Sequence, residues 1–165
     1  MPTFYTAEIC MNGHITTGNI EHNPERRETY CHICGSPTIT KCPSCHASIR
    51  GDYDSADGDD IFSLRFPLRL TQPPAYCTKC GQPFPWTNSA LSAAKELIQM
   101  SNLSISDIDF FNKNIDKILY ESPSSTVAIV KIKKILEKVG KFSIDIIKQT
   151  LISVASETAK RILWP

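Results

Sequence analysis

Tyr30-Cys31-His32-Ile33-Cys34-Gly35 is followed by Lys41-Cys42-Pro43-Ser44-Cys45-His46 and later by Tyr76-Cys77-Thr78-Lys79-Cys80-Gly81. These three CxxC pairs decide the fold of the amino-terminal half. CxxC sets two sulfurs on one tight turn, at one corner of a metal tetrahedron. Thioredoxin-like chemistry uses a single CxxC between a strand and a helix in a βαβ unit. No βαβ pattern surrounds these pairs, and turn residues flank each of them. Metal binding accounts for them better than redox thiols, or than disulfides, which are rare in the cytoplasm.

Three pairs supply six ligands, two short of two closed four-ligand sites. Cys10 and His14 make up the number. They bracket Asn12-Gly13, which is turn chemistry, and Ile9 and Ile15 flank them as strand ends would. The simplest assignment is sequential. Cys10, His14, Cys31 and Cys34 then form one zinc site, and Cys42, Cys45, Cys77 and Cys80 the other. Cys31/Cys34 could instead share an ion with Cys42/Cys45, leaving Cys10/His14 to Cys77/Cys80, and a cross-braced arrangement is a third option. His22, His32 and His46 are the alternatives to His14. His32 and His46 adjoin ligand cysteines, which suits a supporting or exposed role. Eight ligands leave open none of the positions a catalytic zinc keeps. No HxE or HExxH segment is present, and the zinc-deaminase signature is absent. The expectation is two structural Zn²⁺ ions per chain and no enzymatic activity.

Composition divides the chain at the same place. Residues 1–88 hold all seven Cys, all four His and nine of the eleven Pro, whereas 89–165 hold no Cys or His. The first half carries a net charge of −2 and the second +3, for +1 over 165 residues. The reading is α+β: a double zinc-ribbon domain of short antiparallel strands over 1–88, then a small bundle of three to four helices over 89–165. A near-neutral total argues against a nucleic-acid binder acting through bulk charge. The first eight residues lack a basic region followed by an apolar core. No stretch approaches the roughly 20 apolar residues of a membrane span, since charges interrupt even the apolar segment 142–164. A cytoplasmic location is expected.

Within the ribbon half, Phe62, Leu64, Phe66, Leu68 and Leu70 alternate with polar residues, as an edge strand interrupted by Pro67 would. The segment before it, 51–60, has five Asp, but Ala56, Asp57 and Ser63 occupy the EF-hand positions that need a ligand, Gly and Glu. A solvated hairpin tip is expected there, without calcium. In the other half, one helix should start at Asn88 or Ser89 and bury Leu91, Ala94, Leu97 and Ile98. A second starts at Ser104 and carries Ile108, Phe111, Ile115, Ile118 and Leu119. A third runs over 124–139, set off by Pro123 and ended by Gly140. A fourth spans 143–163 with Ile147, Leu151, Val154, Ala155, Thr158 and Ile162 on one face. Trp86 is expected to pack between the ribbon and the first helix.

The motifs Cys10-Met-Asn-Gly-His14, Tyr30-Cys-His-Ile-Cys-Gly35, Lys41-Cys-Pro-Ser-Cys-His46 and Tyr76-Cys-Thr-Lys-Cys-Gly-Gln-Pro-Phe-Pro-Trp-Thr87 together resemble an uncharacterised bacterial family, a domain of unknown function with a double zinc ribbon. The likeness covers roughly residues 5–98, and the tail 155–160 is similar to that family's helical end. The resemblance implies two zinc sites on the eight ligands named above, and no reaction.

The expected function is a protein-interaction module, with zinc contributing folding energy that two small ribbons cannot supply alone. Its concrete form is a homodimer through Ile146, Ile152 and Trp164 of the last helix. The alternative is nucleic-acid binding through Lys131, Lys133, Lys134, Lys138 and Lys141, with Arg65 and Arg69 on one strand face. Seven thiolates and two Zn²⁺ would bring the ribbon half to about −5, which works against that alternative. Glu8, Glu21, Glu25 and Glu28 lie around the first site in sequence without forming an acid–base pair. No small-molecule substrate is evident.

Overall fold

Short runs rich in β-branched and aromatic residues form most of the strands. These are β1 (Thr3–Thr6), β2 (Glu8–Cys10), β3 (Ile15–Thr17), β4 (Thr38–Ile39) and β5 (Arg50–Asp54). The computed structural model describes residues 3–54 and 68–165. Over these the chain divides after Thr87 into two compact units.

In the first unit β2 is the centre of a three-stranded antiparallel sheet of order β3-β2-β4. It is buried along its whole length, and Ile9 faces Ile15 on one side and Ile39 on the other. A second antiparallel sheet pairs β1 with β5. Among the described residues the apolar core of this unit is small: Ala7, Ile9, Ile49, Phe84 and Trp86, with Cys10, Cys31, Cys42 and Cys77 buried beside them.

β5 corrects the expected loop over 51–60. Arg50, Tyr53 and Asp54 pair with Thr6, Phe4 and Thr3 of β1, although Gly and Asp are poor strand formers. Cross-strand contacts outweigh propensity here. The rings of Phe4 and Tyr53 lie 4.8 Å apart, and the Arg50 guanidinium sits 4.6 Å from the Phe4 ring centre. Gly51 is required because a Cβ would overlap the Gly18 carbonyl. The remainder of that loop and most of the expected 62–70 strand, including Arg65, lie outside the described residues. Leu68, near the strand's end, bridges to Tyr53.

Helices follow, five in all among the described residues where three to four were expected, the first beginning at the end of the first unit: α1 (Pro85–Gln99), α2 (Ile105–Asn114), α3 (Pro123–Leu136), α4 (Lys141–Leu151) and α5 (Glu157–Leu163). α1 starts three residues early because Pro85, with its fixed φ and missing N–H, suits the first helical turn. α2 is capped by the Ser104 hydroxyl, which accepts from the Asp107 amide, and runs on into a 3₁₀ segment, Ile115–Leu119. Pro123 opens α3 rather than preceding it. Ser122 and Ser125 cap that helix reciprocally.

The expected fourth helix is two helices. The Ser156 side chain accepts from the Ala159 amide and starts α5, while its own amide donates to the Ile118 carbonyl at 2.8 Å. Gly140 has φ −59° and is the N-cap residue of α4, so it does not close α3 in a left-handed turn. α3 packs against α2, the 3₁₀ segment and α5, burying Ala128, Ile129, Ile132, Ile135 and Leu136 against Phe111, Ile115, Ile118 and Leu163. Ile146 is half-buried and Ile152 exposed, and Trp164 belongs to a different helix end. No described helix is long and apolar enough to cross a membrane.

Candidate metal centres

The three CxxC turns share one backbone design. The first cysteine's amide donates to the carbonyl five residues on: Cys31 to Ser36, Cys42 to Ala47 and Cys77 to Gln82, at 2.8–2.9 Å. Its carbonyl accepts from the amide four residues on, at Gly35, His46 and Gly81. Bridges Tyr30–Pro37, Lys41–Ser48 and Tyr76–Pro83 close the three turns in the same way. The residue after the second cysteine must turn with positive φ. Gly35 (69°) and Gly81 (72°) do so without steric cost, whereas His46 (58°) occupies the left-handed region as a non-glycine. A Cβ at Gly35 or Gly81 would meet nothing within 4 Å, so conformation and not space selects glycine there. In the fourth turn, Cys10 to His14, the Cys10 amide donates to the His14 carbonyl and the Gly13 amide to the Cys10 carbonyl, with Gly13 at φ 88°.

These turns converge in two groups. Cys10, His14, Cys31 and Cys34 bring their ligand atoms within 4.8 Å of one another, and so do Cys42, Cys45, Cys77 and Cys80. Of the three pairings considered, these are the sequential ones. The thiols are free. Cys10 and Cys34 Sγ are 3.8 Å apart, Cys42 and Cys80 3.8 Å, and Cys45 and Cys77 3.6 Å. A tetrahedral ion with metal–sulfur bonds of about 2.3 Å needs ligand edges of about 3.8 Å. In the first group His14 presents Nδ1, 3.5 Å from Cys10 Sγ and 3.7 Å from Cys31 Sγ. Both donor sets therefore fit a closed, four-coordinate ion that prefers sulfur.

Backbone amides tune the sulfurs. The Ser36 amide, followed by its side chain, holds the Cys34 thiol down to about 5. The Cys80 and Lys79 amides hold Cys77 down to about 6. Cys45 receives the Ala47 amide, but burial and the neighbouring Cys80, Cys77 and Cys42 push it up to about 12. Burial raises Cys10 as well. Crowded thiols cannot all lose their protons unless a cation compensates.

Two supports were not legible as such. Asn12 Nδ2 donates to Cys34 Sγ at 3.5 Å and to Ser36 Oγ at 2.9 Å. Glu8, 2% exposed, accepts from the Glu28 amide at 2.7 Å, Arg27 Nε at 3.1 Å and Thr16 Oγ1 at 3.1 Å. It ties β2 to the chain entering the first CxxC turn. The other histidines lie outside both groups. His22 Nδ1 faces Asn19 Oδ1, and His32 Nδ1 pairs with Glu28 at 2.8 Å. Glu21 accepts from the Thr6 amide. Trp86, 3% exposed, stacks on Phe84 at 4.6 Å and donates from Nε1 to the Pro74 carbonyl at 2.8 Å.

Residues 3–163 match the family DUF2321, described as an uncharacterized protein conserved in bacteria, and the chain belongs to that family. No curated protein and no solved structure matches it significantly.

Proposed function

We propose that this member of DUF2321 is a double zinc-ribbon protein whose two ions are structural, held by Cys10, His14, Cys31 and Cys34 and by Cys42, Cys45, Cys77 and Cys80, and that it serves as a protein-interaction module. The observation that carries the zinc reading is the pair of complete four-donor sets with tetrahedral spacing. Thiolate-rich tetrahedral sets favour Zn²⁺ over Mg²⁺ or Ca²⁺, which take oxygen. Four protein donors leave no position for a substrate, and a structural ion adds on the order of 10 kcal/mol to folding.

The interaction reading draws on surface chemistry. Tyr30 (65% exposed) and Ile33 (61%) project from the first CxxC turn, and Met100 and Ile105 are more than three-quarters exposed. Such apolar residues suit a partner surface. The lysine run is less available to phosphates than it reads: Lys133 is half-buried, and Lys138 pairs with Asp107 at 2.7 Å.

Elemental analysis of the purified chain tests the zinc reading. Two zinc ions per chain are expected, and a chelator should abolish the buried environment of Trp86. A metal-free chain with Trp86 still buried would overturn it. Salt-dependent DNA or RNA binding lost on changing Lys133 and Lys134 together would favour the nucleic-acid alternative over the adaptor.

A further inference from the structure

We propose that the groove between α2 and α3 docks an acidic, amphipathic helical segment of a partner protein. The inference deepens the interaction-module reading and rests on it. The groove encloses about 370 Å³ and is lined by Ser106, Asp107, Phe110, Lys131, Lys134 and Lys138, with Ile135 beneath. Its floor is apolar: Phe110 is half-buried and Ile135 is buried. Its rim is cationic. Lys131 Nζ stands 5.5 Å from the centre of the Phe110 ring, and neither Lys131 nor Lys134 makes an ion pair among the described residues. Asp107 is already matched by Lys138, so the uncommitted charge of the groove is positive.

The surface continues along α3. Val127, Val130, Lys131 and Lys134 recur at helical spacing and share one exposed face, and Lys138 follows in the turn after the helix. Val127 is 58% and Val130 42% exposed. β-branched residues are indifferent helix formers, and nothing in the helix itself calls for valine on its solvent side. Positions 127 to 134 extend roughly 11 Å, about two helical turns. Apolar anchors followed by cations, over a groove between two helices, complement a helix whose leucine-like residues recur at i, i+3 and i+7 with carboxylates beside them. A nucleic-acid backbone fits less well. It offers phosphates to a continuous cationic track, and here two valines begin the row and one of its three lysines is neutralised.

The test is fluorescence anisotropy with the full, metal-loaded chain and a labelled synthetic peptide of about 15 residues, built from Leu, Ala and Glu with leucines at i, i+3, i+4 and i+7. The same peptide with Glu replaced by Lys, a single-stranded oligonucleotide and phosphatidylglycerol vesicles are compared alongside. The acidic peptide should bind saturably, and Lys131→Glu with Lys134→Glu should weaken it roughly tenfold or more. Val130→Ser should weaken it too, and Arg161→Glu on α5, outside the residues that line the groove, should leave it unchanged. Absence of saturable binding, equal binding by the Lys peptide, insensitivity to the double variant, or tighter lysine-dependent binding of the oligonucleotide or vesicles would each overturn the proposal. Zinc content measured on the same samples separates the two readings: two ions per chain without peptide binding would refute the docking site alone.

Discussion

Replacing Cys77 by Ser is the sharpest perturbation of the second donor set. The Cys77 sulfur is buried, lies 3.6 Å from Cys45 Sγ and accepts the Lys79 amide at 3.4 Å. A serine hydroxyl keeps the shape but is too hard and too weakly acidic to replace a thiolate on zinc. The loss is then most of one site's contribution, on the order of 10 kcal/mol. Among the described residues the large apolar side chains fully buried in this unit are Ile9, Ile49, Phe84 and Trp86. At about 2–3 kcal/mol each they bring a gross burial on the order of 10 kcal/mol. One ion thus matches the whole apolar core, and total stabilities rarely exceed about 15 kcal/mol. The unit should unfold rather than soften. In a Trp164→Phe background Trp86 is the sole indole. Zinc should fall from two ions per chain, Trp86 emission should shift to the red, and amide protection should disappear from β1 through β5. A Cys77→Ser chain that retains two zinc ions, or keeps the parent Trp86 emission after losing one, would refute the reasoning.

Four further outcomes follow from the same geometry. His46→Gly should relieve a left-handed φ of 58°, raising the ribbon unit's stability by up to about 1 kcal/mol, whereas Gly35→Ala and Gly81→Ala should each cost about 1 kcal/mol by thermal melting. Metal binding should release protons: without an ion the raised Cys10 and Cys45 hold theirs at neutral pH, so affinity rises with pH. Acidification should release the ions, because protons compete with the metal for the thiolates, and a pH-stat titration showing no proton release on metal binding would contradict this. Glu8→Ala strands the Glu28 amide and removes the Arg27 partner, while the Thr16 hydroxyl keeps the backbone carbonyl of residue 8, and should cost about 1–3 kcal/mol in denaturant unfolding. Ser156→Ala removes the cap of α5 and should cost about 1 kcal/mol, read as faster amide exchange at Ala159.

The donor sets were readable from sequence because a CxxC turn is local. Its spacing fixes two sulfurs and its own hydrogen bonds fix the rest, so little depends on distant packing. Pairing between turns is not local, and spacing alone left three arrangements open. The helices show the same division. Ser104 and the apolar period over 105–119 marked α2 well. The single long helix over 143–163 was misread because an unbroken 3.6-residue period passes through Val154 and Ala155, although the capping signal was present in Ser156 and Glu157. Gly140 was misread because glycine ends a helix only at positive φ, and the sequence does not report φ. β5 was missed because its stability comes from Phe4, Arg50 and Tyr53 across two strands, which no window along the chain contains.

The consecutive pairing also bears on biosynthesis. The two donor sets occupy separate spans, 10–34 and 42–80. A nascent polypeptide exposes every ligand of the earlier set once Cys34 leaves the ribosome, 46 residues ahead of Cys80. An interlaced topology, with Cys10 and His14 sharing an ion with Cys42 and Cys45, would have left the first set incomplete until Cys45 emerged. The order of emergence therefore completes the earlier donor set before Cys42 and Cys45 follow it.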